Sequence, residues 1–180
     1  MRSCRTGIVS RGAGILILVT ILAVSSGCGY HLLGKGKGTL GEVKTIAIPY
    51  FVNKTFEPGI DRIFTDTLVN EFVESREFTL TSEDKADVVM KGVLKSFEDQ
   101  PISFNRNDRA LEYRATVTLE FSVEERTTGK ILWRDRNITY NEEYRVNPDI
   151  AVTEFNKDQA IERLAGELAE RIHDNLLEGF

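Results

Sequence analysis

Ala115-Thr116-Val117-Thr118-Leu119-Glu120-Phe121-Ser122-Val123-Glu124 decides the fold. Every odd-numbered position is apolar and every even-numbered one polar. Only a strand, whose side chains alternate between two faces, turns that order into one apolar and one polar surface. The sheet that holds it therefore has one face on a core and the other toward water or a partner. Thr127-Thr128-Gly129-Lys130 follows as a hairpin turn. Ile131 to Tyr144 returns as a further strand, with Trp133, Tyr140 and Tyr144, and with Arg134 and Arg136 on one face. Upstream, Asp87 to Phe97 is another strand. Val88, Met90, Gly92 and Leu94 share one of its faces, and Val89, Lys91, Val93 and Lys95 the other. Pro101, Asn105, Arg106, Asn107, Asp108 and Arg109 make residues 99 to 111 a polar loop.

Two helical stripes supply the cover. Ile60, Ile63, Phe64, Leu68 and Phe72, with Thr67 on the same stripe, follow Pro58-Gly59, and Pro58 suits a first helical turn. Ala160, Ile161, Leu164, Ala165, Leu168, Ala169, Ile172 and Leu176 form the longer stripe. After a loop over 145 to 155, Asn156 and Gln159 have the spacing of a capping box at its start. Near the beginning, Lys44 to Phe51 reads as a strand ending near Pro49, and Phe78 to Leu80 as a short extended piece. The order is strand, helix, several strands, helix. It predicts an α+β two-layer sandwich, both helices packed on one face of a mostly antiparallel sheet.

Ahead of this domain lies a different composition. Arg2, Arg5 and Arg11 precede Ile15 to Val24, an apolar run broken only by Thr20, and then Ser25-Ser26-Gly27-Cys28. A basic leader, a short apolar run and small residues make an export signal over 1–27. The run is shorter than the ~20 apolar residues a spanning helix needs. The Gly27-Cys28 junction resembles a bacterial lipobox, with Ser25 where Leu is usual. That resemblance implies cleavage before Cys28, acylation of its thiol and, with Gly29 following, an outer-membrane address. Residues 28–42 become the lipidated Cys and a Gly-rich tether with Lys35 and Lys37, and residues 43–180 a single α+β domain. The lipid supplies the membrane affinity.

Charge and composition narrow the function. The leader carries three of the 23 Lys and Arg and none of the 28 Asp and Glu, so the mature chain has net charge −8. Global attraction to nucleic acid is not expected. Cys4 leaves with the leader, so the domain has neither a disulfide nor a free thiol. His31 and His173 have no partner at metal-ligand spacing, and no nucleophile elbow or phosphate loop occurs. No enzyme, metal or cofactor is expected. What stands out is basic: Lys91, Lys95, Arg134 and Arg136 on strands, and Arg106, Arg109 and Arg114 in or beside the loop. Two readings remain. Cross-strand pairing with neighbouring Glu residues is the plainer one, and contact with phosphates is the other.

Certain short stretches carry a resemblance. Cys28-Gly29-Tyr30-His31-Leu32 opens the mature chain. Ile48-Pro49-Tyr50-Phe51-Val52-Asn53 and Thr55 follow, then Pro58-Gly59 before a helix. Leu111-Glu112-Tyr113-Arg114 enters a strand, and Thr128-Gly129-Lys130-Ile131-Leu132 makes a hairpin. In this order they resemble the LptE family of LPS-assembly lipoproteins over essentially the whole mature chain. The resemblance implies two helices on a four-stranded sheet. It also implies a non-catalytic plug inside the outer-membrane β-barrel LptD that helps assemble that barrel and binds lipopolysaccharide on its way to the outer leaflet. Lys91, Lys95, Arg106, Arg109, Arg134 and Arg136 are then the candidate lipopolysaccharide contacts, and Cys28 the lipid attachment. The alternative is an outer-membrane-anchored regulatory lipoprotein that binds a periplasmic enzyme such as a cell-wall synthase.

Overall fold

In the computed structural model, residues 43–178 are described. The expected signal peptide, Cys28 and the tether lie outside the described residues. The elements in chain order are β1 Thr45–Ala47, β2 Val52–Asn53, α1 Ile60–Ser75, β3 Thr79–Leu80, β4 Val88–Phe104, β5 Ala110–Glu125, β6 Ile131–Arg145 and α2 Ile150–Glu178.

The two helices and the α+β class are as the sequence predicts, but the four-stranded, mostly antiparallel sheet is corrected. Among the described residues the sheet has six strands and is mixed, in the order β3-β1-β4-β5-β6, with β2 also pairing β4. β1 runs parallel to β3 and β4, and β2 runs parallel to β4. Only β4–β5 and β5–β6 are antiparallel. The cause is the connection. α1 lies between β1 and β4, and a helical crossover returns the chain in the same direction, which gives parallel neighbours.

The core lies between the helices and one sheet face. Ala115, Val117, Leu119, Phe121 and Val123 are fully buried, as their alternation requires. Phe64, Leu68 and Phe72 of α1 and Leu164, Leu168 and Ile172 of α2 pack in the same cluster. Each such side chain contributes about 1.5–3 kcal/mol by leaving water. On α1 the buried polar residue is Thr65 and not Thr67. Its hydroxyl donates to the Asp61 carbonyl at 2.6 Å and accepts the Phe51 N–H at 3.0 Å.

Local chemistry moves several boundaries. The strand expected over Lys44–Phe51 stops at Ala47 and resumes at Val52. Pro49, with no N–H to donate, lies in the gap. Helix α1 begins at Ile60, after Pro58. Gly59, at φ 76°, adopts the left-handed turn that precedes it. Helix α2 begins at Ile150, not near Asn156. Asp149 caps it by accepting the Ala151 N–H at 2.9 Å. The Asn156 side chain instead donates to the Arg145 carbonyl at 2.8 Å, and Gln159 bonds Glu162. The expected loop over 99–111 shrinks to 105–109, because β4 and β5 continue through it as a long hairpin with irregularities near Pro101 and Ser103.

Candidate functional site

The register of the three long strands separates the six candidate basic residues into two places. Lys91 and Arg134 both lie opposite Ser122 of β5, on the sheet face away from the helices. Residues two along a strand share a face, so Glu120 and Glu124 flank Ser122 on that face. Lys91 Nζ lies 2.6 Å from Glu124 Oε2, and Arg134 lies 3.5 Å from both Glu120 and Glu124. The Lys91 hydrogen bond outweighs burial and, with the Lys91 charge, a hydrogen bond from the Ser122 hydroxyl and the Arg134 charge, holds the Glu124 carboxyl below its usual range. Lys95 donates to the Arg136 carbonyl at 3.0 Å and to Asn137 Oδ1 at 3.3 Å. Further along, Arg114 pairs Glu143 at 2.7 Å. This face is largely a lattice of satisfied charges, with the Arg136 guanidinium exposed at its edge.

Arg106 and Arg109 are elsewhere. Twelve residues of β5 separate Ser122 from Ala110, which is roughly 40 Å of strand. The hairpin tip is closed by Asn105, whose N–H donates to the Arg109 carbonyl at 2.9 Å. Its side-chain oxygen accepts the N–H groups of Asn107 at 2.8 Å and Arg109 at 3.1 Å. Asp108 takes the left-handed conformation at φ 55°, which Asp tolerates better than most residues. β6 ends opposite Glu112, so the tip projects past it. Both arginines are exposed, and among the described residues no ion pair engages either guanidinium. Phe104 and Leu111, 55% and 45% exposed, flank them. An exposed cationic turn with apolar shoulders suits the headgroup and first carbons of an anionic amphiphile.

A second polar group holds the body of the domain behind this hairpin. Lys157 of α2 reaches Glu57 at 2.5 Å and Asp99 at 3.5 Å, over the Phe97 ring at 5.3 Å. Burial works against the ammonium, but Glu57 and Asp99 outweigh it and keep the Lys157 pKa above the usual lysine value. Burial raises Asp99, with Lys157 only partly offsetting it, and Asp99 Oδ1 is buried without a hydrogen-bond partner. Burial and the adjacent Asp99 push the Tyr144 phenol up. Sequence reading missed this cluster because Glu57 and Lys157 are 100 residues apart. The one available signal was a lysine beside an apolar stripe. Among the described residues no group of His, Cys, Asp and Glu is placed to hold a metal, and no helix is long and apolar enough to cross a membrane.

A family model described as LptE, lipopolysaccharide-assembly, matches residues 43–176. No curated protein matches the chain. Among solved structures, the rare lipoprotein B from Shewanella oneidensis aligns with a TM-score of 0.53 at 15% identity, over 73% of this chain and 92% of that one. Protein XCC0632 from Xanthomonas campestris aligns at 0.53 and 13% identity, over 75% and 85%. A point variant of PelC, a dodecamer from Paraburkholderia phytofirmans, aligns at 0.50 and 11%, over 79% and 91%. At these identities the likeness is one of fold.

Proposed function

The chain belongs to the LptE lipopolysaccharide-assembly family, and we propose that it is a non-catalytic outer-membrane lipoprotein, anchored through Cys28 on the periplasmic side, that plugs and helps assemble the LptD β-barrel and binds lipopolysaccharide. Family membership supports a role in lipopolysaccharide assembly. The observation that carries the ligand-binding part is the hairpin tip. Among the described residues Arg106 and Arg109 have no carboxylate partner, whereas Lys91 and Arg134 are already paired. A phosphate must displace an existing carboxylate to reach Lys91 or Arg134, and displaces only water at the tip. The regulatory-lipoprotein reading has no observation of its own behind it.

Binding is measured by pull-down of tagged full-length protein with lipopolysaccharide at low and moderate salt, with circular dichroism as the folding control. Arg106→Glu with Arg109→Glu is expected to lose most binding and keep the fold. Lys91→Glu with Lys95→Glu, and Arg134→Glu with Arg136→Glu, are expected to lose less. A tip pair that binds like wild type at both salt levels refutes the assignment. Barrel association is tested separately. A Cys28→Ala protein still co-purifies with the co-expressed barrel if a broad protein surface holds the plug, and association only of lipidated protein refutes plugging.

A further inference from the structure

Beneath the outer edge of the sheet, where β6 passes over α2, lies a cleft of about 290 Å³. Trp133, Asp135 and Tyr140 contribute from β6, Arg171 and Asn175 from α2, and Ile172 lies against its apolar side. It is distinct from both the hairpin tip and the paired sheet face. An irregularity opens it: Leu119 pairs Ile138 while Phe121 pairs Asp135, so β6 carries an extra residue here. Such bulges re-aim side chains and occur beside functional sites.

The chemistry of the lining selects a ligand. One guanidinium and one carboxylate oppose each other in charge, so the cleft does not select for an ion of either sign. Two aromatic side chains offer faces to apolar C–H groups. The carboxamide of Asn175 donates and accepts, Arg171 donates, and Asp135 accepts. The Tyr140 hydroxyl is buried with no hydrogen-bond partner, a deficit that a bound group can relieve. Arg171 already lies over the Tyr140 ring, at 6.0 Å from its centroid, which holds the donor at the cleft. A neutral ring with apolar faces and a rim of hydroxyls meets every one of these demands. The volume is near the lower bound of ligand pockets, which suits one small ring and not a lipid.

We propose that this cleft is a saccharide-binding site that takes one neutral sugar ring of a larger glycan. Its connection to lipopolysaccharide rests on the function proposed above, but the site itself does not. Two sources carry such rings in the compartment expected for this chain: the glycan of lipopolysaccharide and the glycan strands of the cell wall.

The chain has a single tryptophan, Trp133, so its emission reports on this cleft alone. Full-length lipoprotein is held in a detergent without a sugar headgroup. It is titrated with deacylated, dephosphorylated lipopolysaccharide core oligosaccharide, and in a second arm with soluble cell-wall glycan fragments. A saturable change in Trp133 emission is expected in one arm, and that arm identifies the source. Tyr140→Phe, which removes only the hydroxyl, and Arg171→Ala should each weaken binding about tenfold, the loss of roughly one hydrogen bond. Circular dichroism controls for the fold. No saturable change with either glycan overturns the proposal, as does unchanged affinity in both variants. Loss of lipopolysaccharide pull-down in the Arg106 and Arg109 variant with oligosaccharide binding intact separates this site from the tip.

Discussion

Gly92→Ala tests how tightly the core constrains the sheet. Gly92 lies on β4 beneath the Phe51 ring. A Cβ at Gly92 would sit 2.4 to 2.6 Å from Phe51 Cδ2, Cε2 and Cγ, far inside any real contact. Phe51 is 3% exposed and its ring lies 6.0 Å from that of Phe121. Its backbone is also held, since its N–H donates to the buried Thr65 hydroxyl at 3.0 Å. The ring therefore has little room to retreat. Overpacking a core by one methyl costs about 1–3 kcal/mol. Ejecting the phenyl altogether caps the cost at about 3–5 kcal/mol. We expect about 3 kcal/mol, which for a domain of this size lowers Tm by roughly 10 °C. Thermal and urea unfolding, followed by circular dichroism, measure it. The control is a double-mutant cycle. In a Phe51→Ala background the clash is gone, so Gly92→Ala should cost close to nothing there. A cost below about 0.5 kcal/mol in the wild-type background, or an equal cost with and without Phe51, refutes the contact.

Leu168→Asp places an unpaired charge at a position 2% exposed in the helix–sheet core, and should cost at least about 4 kcal/mol in urea unfolding; a midpoint near that of wild type would mean α2 is not packed as described. Lys157→Met removes the cation from Glu57 and Asp99 and leaves two carboxylates facing each other. A loss of about 2 kcal/mol or more is expected at pH 7, shrinking as acid protonates the pair, and a pH-independent loss would contradict the cluster. The Asp87 carboxylate accepts the N–H groups of Lys44 and Thr45 at 3.0 and 2.9 Å, which hold its pKa below the ordinary 3.8. Its contribution is complete above 3.8 and lost as pH falls through the lower folded value, so the stability gap to Asp87→Asn should close as pH falls below about 4. A gap constant over that range would show that the carboxylate charge is not what holds β1.

Where periodicity was long, the fold was legible in the chain. Ten alternating residues define β5, and the stripes from Ile60 and from Ala160 define both helices, because a buried face must be apolar at the period of its element. The parallel part of the sheet was not legible. β2 and β3 are two residues each and β1 is three, too short for a period to show. The far end of the β4–β5 hairpin read as a loop because Pro101 and the Asn-Arg-Asn-Asp-Arg segment look like turn chemistry. In the fold only the five residues of that segment turn, and the strand bends around Pro101 with its register shifted. The basic residues were visible, but their state was not. Composition cannot say that Lys91 and Arg134 approach Glu124 from opposite neighbouring strands. That follows from both pairing with Ser122, and register is a property of the assembled sheet.

Placement of the tip also resolves a difficulty in the net charge. Residues 28–180 carry a net charge of −8, which repels a phosphate-rich ligand at long range. At physiological salt that repulsion decays over about 8 Å, while the tip stands roughly 40 Å along the strand from the Glu120–Glu124 pairings. Only nearby charges then matter. Asp108, in the same turn, offsets part of the charge of Arg106 and Arg109, so the tip is weakly rather than strongly cationic. Glu112, the next acidic residue along β5, is occupied by Ser103 at 3.1 Å and by Arg145 at 3.6 Å. A weak cationic tip flanked by Phe104 and Leu111 favours an amphiphile over a free phosphate, because charge alone is too small there and the apolar shoulders add burial of acyl or sugar C–H groups. It also favours the reversible capture that the proposed role in lipopolysaccharide transport requires.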